Sequence, residues 1–278
     1  MIIIKTSNEM KAWSKTCHDA GERISFVPTM GNLHAGHLSL VDAASHVSDK
    51  IVVSIFVNPT QFSADEDLEK YPRTEEDDLK TLADKNVDVV FMPMPSEIYP
   101  DVENIQYLDV PDIAKELEGA SRPEHFRGVA TVVKILFDCV EPNHAFFGEK
   151  DFQQLIIIKD MVEKLALDID IHGEKIIRDD DGLAKSSRNQ YLSVEQRQKA
   201  PILYLALRQA SKNITQGSMA NDEVLSQSIE FIENNGFSVD YFVIRDASSL
   251  GQAKSSNRVI LVAAMLGTTR LLDNLRID

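Results

Sequence analysis

The stretch Phe26–His37 (FVPTMGNLHAGH) limits the possible folds of this chain more than any other part of the sequence. The preceding run Ile24–Val27 is apolar and β-rich, and Pro28 and Gly31 interrupt it. From Leu38 onward, apolar residues recur at helical spacing. The stretch therefore predicts a strand that passes through a tight turn into a helix.

Two histidines, His34 and His37, stand where this helix is predicted to begin. Residues three apart share one helix face, so both rings can point at one ligand. The N–H groups and dipole of a helix start favour a phosphate, and Gly36 would let a ligand approach the backbone. We expect a phosphate site with two imidazole donors. The alternative is a pair of surface histidines that cap the helix.

The chain of 278 residues is long enough for two domains. Strand and helix patterns alternate through residue 92, which predicts a parallel sheet with helices on both faces. A polar segment at residues 178–189 then marks a change in composition. We expect a Rossmann-like α/β domain over residues 1–176 and a smaller α+β domain over residues 177–278. The second domain is predicted to include one long helix over Ser193–Thr215.

Three loops of the predicted sheet carry polar side chains. In open parallel sheets, ligands bind outside the carboxyl ends of the strands. The histidine stretch, the turn Asn58–Phe62 and the segment Gly148–Asp151 each follow such an end. The first two of these loops are therefore expected to converge on one crevice.

The net charge of −15 lies entirely in residues 1–176, which hold 17 Lys and Arg against 32 Asp and Glu. An acidic surface argues against nucleic acid as a partner, but not against a small phosphate ligand. No apolar run is long enough to span a bilayer, and Met1–Lys5 is too short for a signal peptide. Cys17 and Cys139 alone cannot form a disulfide framework. We expect a cytoplasmic protein without a membrane partner.

Two segments, His34–His37 (HAGH) and Lys185–Arg188 (KSSR), resemble in this order the paired signatures of HIGH-type nucleotidyltransferases. The strings around and between them are similar to one family within that superfamily, the pantoate–β-alanine ligases. They are PTMGNLHAGH, IFVNPTQF, DLEKYPRT, FRGVATVV, FFGEKDFQQL and GLAKSSRNQYL. The resemblance covers nearly all of residues 1–195 and is weaker over residues 200–278.

The resemblance implies a two-step reaction. Pantoate attacks the α-phosphate of ATP to give pantoyl adenylate and pyrophosphate, and β-alanine then displaces AMP. ATP is thus a substrate, Mg²⁺ is the expected metal, and the family suggests a homodimer through the N-terminal domain. The C-terminal domain would close over the nucleotide as a lid.

The resemblance also assigns the ATP site. Its members would be Met30, Gly31, His34, His37, Gly148, Lys150, Asp151, Ile177, Lys185, Ser186, Ser187 and Arg188. Imidazole, hydroxyl and cationic groups can neutralise the charge that develops on phosphates, so the catalytic subset would be His34, His37, Lys150, Ser186, Ser187 and Arg188. Two alternatives stay open: Lys150 and Asp151 as a surface ion pair, and Lys185 pointing to solvent. Many family members have an apolar residue in place of Lys185.

The remaining assignments concern the other substrates and the metal. Pantoate would be bound by Pro28, Thr29, Met30, Gln61, Phe147 and Gln154. Asn58 and Tyr71 would lie near β-alanine or the entrance. Asp77 and Asp78 are the candidate Mg²⁺ ligands, and the alternative is that both are helix-start acids stabilised by the dipole. Thr74 is a predicted N-cap with Asp77 as its capping-box partner.

Two rival classes differ in chemistry. One is an enzyme that transfers adenylate to a phosphorylated substrate, and such enzymes are commonly shorter and lack FFGEKDFQQL. The other is a non-catalytic nucleotide-binding module, which would not need the complete set of histidines, Lys150 and the KSSR segment.

Overall fold

The structure, a computed structural model, describes residues 1–62, 72–217, 219–254 and 256–277. It contains two compact units, residues 1–149 with 157–175 and residues 150–156 with 176–278. Residues 150–156, which the sequence analysis assigned to the first domain, thus belong to the second unit. The division into a substrate-binding domain and a lid stays a prediction.

The first unit is built on a six-stranded parallel sheet in the order β1-β4-β3-β2-β5-β6. Its strands are β1 (Ile2–Ile4), β2 (Ile24–Thr29), β3 (Lys50–Ile55), β4 (Val89–Phe91), β5 (His144–Gly148) and β6 (Asp170–Glu174). The central strands are apolar on both faces because helices cover both. The predicted Rossmann-like fold is confirmed.

Helices connect these strands. The longer ones are α1 (Ser7–Asp19), α2 (Ala35–Ala44), α3 (Glu75–Ala83), α6 (His125–Val140) and α7 (Phe152–Lys164), and the short ones are α4 (Pro95–Ile98) and α5 (Glu118–Ser121). Within the described residues, no helix has both the length and the apolar character that crossing a bilayer requires.

The strand register brings the predicted site loops to one edge of the sheet. β2 and β3 pair from Ile24 with Lys50 to Thr29 with Ile55, so the two strands end together. β5 lies on the other side of β2, and the chain order reverses between them. A crevice outside such a reversal is the usual ligand position in an open α/β sheet.

The second unit holds a three-stranded antiparallel sheet, β7 (Ser238–Asp246), β8 (Arg258–Leu266) and β9 (Thr269–Ile277). Its helices are α8 (Val194–Lys199), α9 (Ile202–Gln216) and α10 (Asn221–Asn234). The single helix predicted over Ser193–Thr215 is wrong. Pro201 separates α8 from α9, because proline has no N–H and its ring clashes with the preceding turn.

Candidate active site

The chain reverses immediately after β2. The Thr29 hydroxyl donates to the Ser54 carbonyl at 2.7 Å and accepts the Gly31 N–H at 3.2 Å. Gly31 has φ +81°, in the left-handed region that glycine adopts most readily. We call residues 30–37, between the end of β2 and the first turn of α2, the histidine turn.

The two histidines cap α2 with their Nδ1 atoms. His34 Nδ1 accepts the Gly36 N–H at 3.1 Å, and His37 Nδ1 accepts the His34 N–H at 3.3 Å. The rings stack with centroids 4.1 Å apart. Because Nδ1 accepts in each, a neutral imidazole carries its proton on Nε2 and donates from that atom. The capping contacts of the alternative are therefore present, and the donor role of the two rings, which stays a prediction, would fall to Nε2–H.

Gly36 leaves space for the His34 ring. A Cβ at this position would lie 2.8 Å from His34 Cε1, closer than side chains pack. The nearest atoms that the glycine makes room for thus belong to the neighbouring imidazole, and the expected approach of a ligand to Gly36 stays a prediction.

Asp78 lies under the histidine turn, although the sequence resemblance placed it at a metal. Its Oδ2 accepts the Asn32 N–H at 2.9 Å, and its Oδ1 accepts the Leu33 N–H at 2.8 Å. The predicted capping box of Thr74 with Asp77 is wrong, because Thr74 makes no side-chain cap and donates to Asp78 Oδ2 at 3.1 Å. Asp78 is 3% exposed, while Asp77 is exposed.

Two predicted pantoate residues meet at this edge of the sheet. Gln61, in the 3₁₀ turn Pro59–Gln61 after β3, donates from Nε2 to the Met30 sulfur at 2.8 Å. Pro28 is half-buried near the end of β2. Phe147 on β5 is buried, and its ring packs edge-on to Phe137 at 6.5 Å.

The buried Asn58 side chain holds the Gln61 side chain by a hydrogen bond. Asn58 is 1% exposed, and its Nδ2 donates to Gln61 Oε1 at 3.2 Å and to the Gly128 carbonyl at 3.2 Å. Its Oδ1 accepts the Tyr99 hydroxyl at 2.7 Å. Burial raises the pKa of Tyr99 to about 12. A contact of Asn58 with β-alanine stays a prediction, and Tyr71 lies outside the described residues.

The backbone of Gln61 is held as well. Its carbonyl accepts from His125 Nδ1 at 2.8 Å, and Arg122 Nη1 lies 3.0 Å from His125 Nε2. A Cβ on Gly128 would collide with the Thr60 carbonyl, so glycine lets α6 approach this turn. Sequence reasoning missed Tyr99, His125 and Gly128 as supports. The local signal for Gly128 was a glycine in the first turn of a helix, and that signal indicates neither Tyr99 nor His125.

The second unit brings several predicted ATP residues together. Lys150, Ser186 and Arg188 line one pocket together with apolar residues such as Leu183 and Leu203. Ser186 caps the 3₁₀ helix Ser187–Tyr191, and its Oγ accepts the Arg188 N–H at 3.3 Å. Lys150 Nζ lies 3.5 Å from Asp151 Oδ1, so the ion pair considered as an alternative is present.

A clasp around Arg178 fixes the chain that leads into the KSSR segment. Arg178 forms a bidentate ion pair with Asp273 at 2.6 and 2.8 Å, and its guanidinium stacks 3.7 Å from the Tyr204 ring centroid. Its Nη1 also donates to the Gly182 carbonyl at 3.0 Å. No local pattern indicates this clasp, because Asp273 is 95 residues from Arg178.

The Lys185 side chain has a carboxylate partner. Its Nζ pairs with Asp179, which also accepts from Arg197 Nη2 at 3.1 Å. Arg197 in turn binds Asp181 at 2.6 Å and holds the pKa of that carboxyl below its usual value. The Lys185 backbone N–H donates to the Ile177 carbonyl at 2.9 Å.

Three further predicted residues lie at the ends or beginnings of secondary-structure elements. Gly148 ends β5, Gln154 is half-buried in the first turn of α7, and the Ser187 backbone begins the 3₁₀ helix of the KSSR segment. The fold is an α/β fold, and the predicted site residues fall into two groups whose chemistry suits a phosphate-bearing ligand. The first unit presents imidazole and amide donors, and the second unit presents cations and hydroxyls.

The comparisons with known proteins show which family the chain belongs to. The family model of pantoate-beta-alanine ligase matches residues 2–276. Pantothenate synthetase from Thermus thermophilus is 40% identical with a TM-score of 0.92, and 99% of each chain is covered. Pantoate-beta-alanine ligase from Francisella tularensis, in complex with beta-gamma ATP and beta-alanine, is 34% identical with a TM-score of 0.84, covering 99% of this chain and 97% of that one. This chain belongs to the pantoate–beta-alanine ligase family.

Proposed function

We propose that this chain condenses pantoate with β-alanine to pantothenate at the expense of ATP, through a pantoyl-adenylate intermediate. The observation that carries the proposal is the contact of Gln61 with Met30, the first residue of the histidine turn. An amide donor for a hydroxy acid and imidazole donors for phosphates are thereby held at the same edge of the sheet.

In the first step, a carboxylate oxygen of pantoate bonds to the α-phosphorus of ATP. The bond from that phosphorus to the bridging oxygen breaks, and pyrophosphate leaves with the electron pair. His34 and His37 donate Nε2–H to the phosphates, because their Nδ1 atoms are used by the backbone. Lys150 and Arg188 supply positive charge, and Ser186 and Ser187 add hydroxyl and backbone donors.

The pantoate pocket is assigned to both polar and apolar groups. Gln61 and Gln154 bind the hydroxyls and carboxylate, while Pro28, Thr29, Met30 and Phe147 shape the rest. The Met30 thioether is a weak acceptor, so Gln61 Nε2 can exchange it for a pantoate oxygen at little cost. Gly31, Gly148, Asp151 and Ile177 complete the nucleotide site, with Asp151 on the ribose hydroxyls.

In the second step, the amine of β-alanine bonds to the acyl carbon of pantoyl adenylate. The bond from that carbon to the phosphate oxygen breaks, AMP leaves with that oxygen, and the amine loses a proton. Asn58 fixes the Gln61 amide during both steps. No side chain needs to form a covalent intermediate, because the substrate carboxylate is the nucleophile.

Mg²⁺ is proposed to bind together with the ATP phosphates. Among the described residues, no group of three or more His, Cys, Asp or Glu is arranged to hold a metal. Mg²⁺ usually keeps several waters and takes one or two carboxylates plus substrate phosphates, so a sparse donor set fits it. Asp77 is exposed and is the candidate ligand, whereas the buried Asp78 already accepts three hydrogen bonds. The metal would neutralise phosphate charge.

Three larger-scale proposals follow from the family. The chain forms a homodimer through its first unit, the second unit acts as a lid over ATP, and the enzyme works in the cytoplasm. Sedimentation velocity at micromolar concentration tests the first of these, and a monomer at all concentrations would exclude it.

The reaction itself is tested by following AMP release with ATP, Mg²⁺, pantoate and β-alanine, and then with each acid omitted. We expect sustained AMP formation only when both acids are present. Equal AMP release without either acid would contradict the proposal. Pyrophosphate release that instead requires a phosphorylated acceptor, with the AMP group bonded to that acceptor and no free AMP, would support the rival adenylyl transferase.

A further inference from the structure

The environment of Asp78 differs from that of a metal ligand. Its side chain is buried, with 3% of its surface exposed. Two backbone N–H groups and the Thr74 hydroxyl converge on its two oxygens at 2.8 to 3.1 Å. The neighbouring acids Glu75, Glu76 and Asp77 are all exposed on the same helix turn. Of these four acids, only Asp78 is directed into the protein.

The two N–H groups belong to the bend that precedes the His34 cap. Gly31 has φ +81° and Asn32 has φ 51°, so two consecutive residues adopt left-handed backbone. Such a conformation costs free energy for a residue other than glycine and persists where the surroundings compensate it. A carboxylate that accepts the N–H of Asn32 and of Leu33 provides that compensation, since hydrogen bonds to a charged acceptor are the stronger ones.

The bend also fits closely over the carboxylate. A Cβ added to Gly31 would lie 3.1 Å from Asp78 Oδ2 and 3.1 Å from a methyl of Ile55. The helix α3 that carries Asp78 and the turn that carries the histidines are therefore in direct contact. A shift of one would move the other.

We propose that Asp78 is a positioning residue for the two histidines. Its carboxylate fixes residues 32 and 33, and these residues fix the His34 cap and, through it, the stacked His37 ring. The inference rests on the proposed function for what the histidines do, but the placement of the carboxylate is independent of the reaction. A displacement of about 1 Å at catalytic groups can cost roughly 10²-fold in rate.

Three variants separate this role from metal binding. Asp78→Asn keeps the size of the side chain but gives one oxygen acceptor in place of two. Asp77→Asn removes the candidate metal ligand beside it, and Glu76→Gln removes an exposed acid of the same turn as a control. The measurements are amide hydrogen exchange of Asn32 and Leu33 by NMR, kcat, the KM for ATP, and the half-saturating Mg²⁺ concentration.

We expect Asp78→Asn to speed exchange at Asn32 and Leu33 by roughly tenfold or more and to lower kcat by roughly 10²-fold. Its half-saturating Mg²⁺ concentration should stay at the wild-type value. Asp77→Asn should raise that concentration and leave the exchange unchanged, and Glu76→Gln should change neither. If Asp78→Asn raises the half-saturating Mg²⁺ concentration while both amides stay protected, the positioning role is wrong. If wild-type protein makes no AMP, the proposed function fails, and the exchange experiment still decides whether Asp78 holds the turn.

Discussion

His34 uses different atoms of one ring for the helix and for the proposed phosphate site. Nδ1 caps α2, and Nε2–H is the donor assigned to ATP. The spacing of His34 and His37 was enough to predict a helix start with two imidazoles. The tautomer was not predictable from sequence, because it depends on which backbone N–H groups the rings meet.

The two uses of His34 can be separated by substitution. His34→Ala should lower kcat by roughly 10²–10³-fold and destabilise the protein by about 1 kcal/mol through the lost cap. His34→Asn should lower kcat to the same extent but keep most of the stability, because asparagine is a good N-cap. Steady-state kinetics and urea denaturation measure the two effects. Full activity of His34→Asn would show that the ring serves only as a cap.

Tyr99 is a second residue whose role depends on the hydrogen bonds of its hydroxyl, which lies between Asn58 and Thr60. Its hydroxyl donates to Asn58 Oδ1, and Asn58 orients the Gln61 amide. Tyr99→Phe should lower the free energy of unfolding by about 1 kcal/mol. It should also raise the KM for pantoate about fivefold, with a smaller change in kcat. The exposed Tyr107 provides the control Tyr107→Phe. An unchanged KM for pantoate in Tyr99→Phe would remove the positioning role of the hydroxyl.

The same tyrosine gives a prediction for stability at alkaline pH. Burial raises the Tyr99 pKa to about 12, above its ordinary value of 10.0. The neutral phenol is thus favoured by folding, whereas above an unfolded-state pKa of about 10 the unfolded chain gains stability by ionising. Wild type should therefore lose stability between about pH 10 and pH 12 more steeply than Tyr99→Phe. Parallel curves of unfolding free energy against pH would contradict this.

At the scale of elements, the strands and most helices follow from periodicity. The exceptions are instructive because each depends on a particular residue. Pro201 divides a continuous amphipathic pattern into α8 and α9. Thr74 turns its hydroxyl from its own helix end to Asp78. Local patterns predict which segments are helical. They do not predict where a proline separates two helices within one pattern, or which acceptor the side chain at a helix start selects.

The ion pair of Arg178 with Asp273 links the chain that leads into the KSSR segment to β9. Arg178 and Asp273 are both mostly buried, with side chains 15% and 5% exposed. Arg178→Met leaves Asp273 as an unpaired buried charge and should destabilise the protein by about 3–5 kcal/mol. Adding Asp273→Leu should restore part of the loss. Urea denaturation followed by circular dichroism measures both, and a single variant as stable as wild type would show that the pair contributes nothing.

At the scale of the whole molecule, the sequence predicted the fold class and the family, because ordered motifs spread over residues 1–195 carry both. It did not predict the contacts that hold the site. Asn58 and Tyr99 lie 41 residues apart, and Asp78 lies 46 residues from Asn32. Such pairs are set by packing of elements that are distant in sequence, which a single sequence does not reveal.

The proposed lid makes a prediction for the second unit. Binding of ATP should slow amide exchange over residues 179–189, because closure would exclude water from this loop. Hydrogen exchange with and without a non-hydrolysable ATP analogue measures it. Identical exchange in both states would contradict lid closure, while Glu76→Gln protein should respond as wild type does.

The central claim is that the carboxylate of pantoate, and no protein group, attacks the α-phosphate. Pantoate labelled with ¹⁸O in its carboxylate tests this directly, with AMP and pantothenate analysed by mass spectrometry after complete reaction with ATP and β-alanine. Our account predicts one ¹⁸O atom in AMP and one in the new amide of pantothenate. AMP without label would contradict it, because the carboxylate oxygen would then never have been bonded to phosphorus.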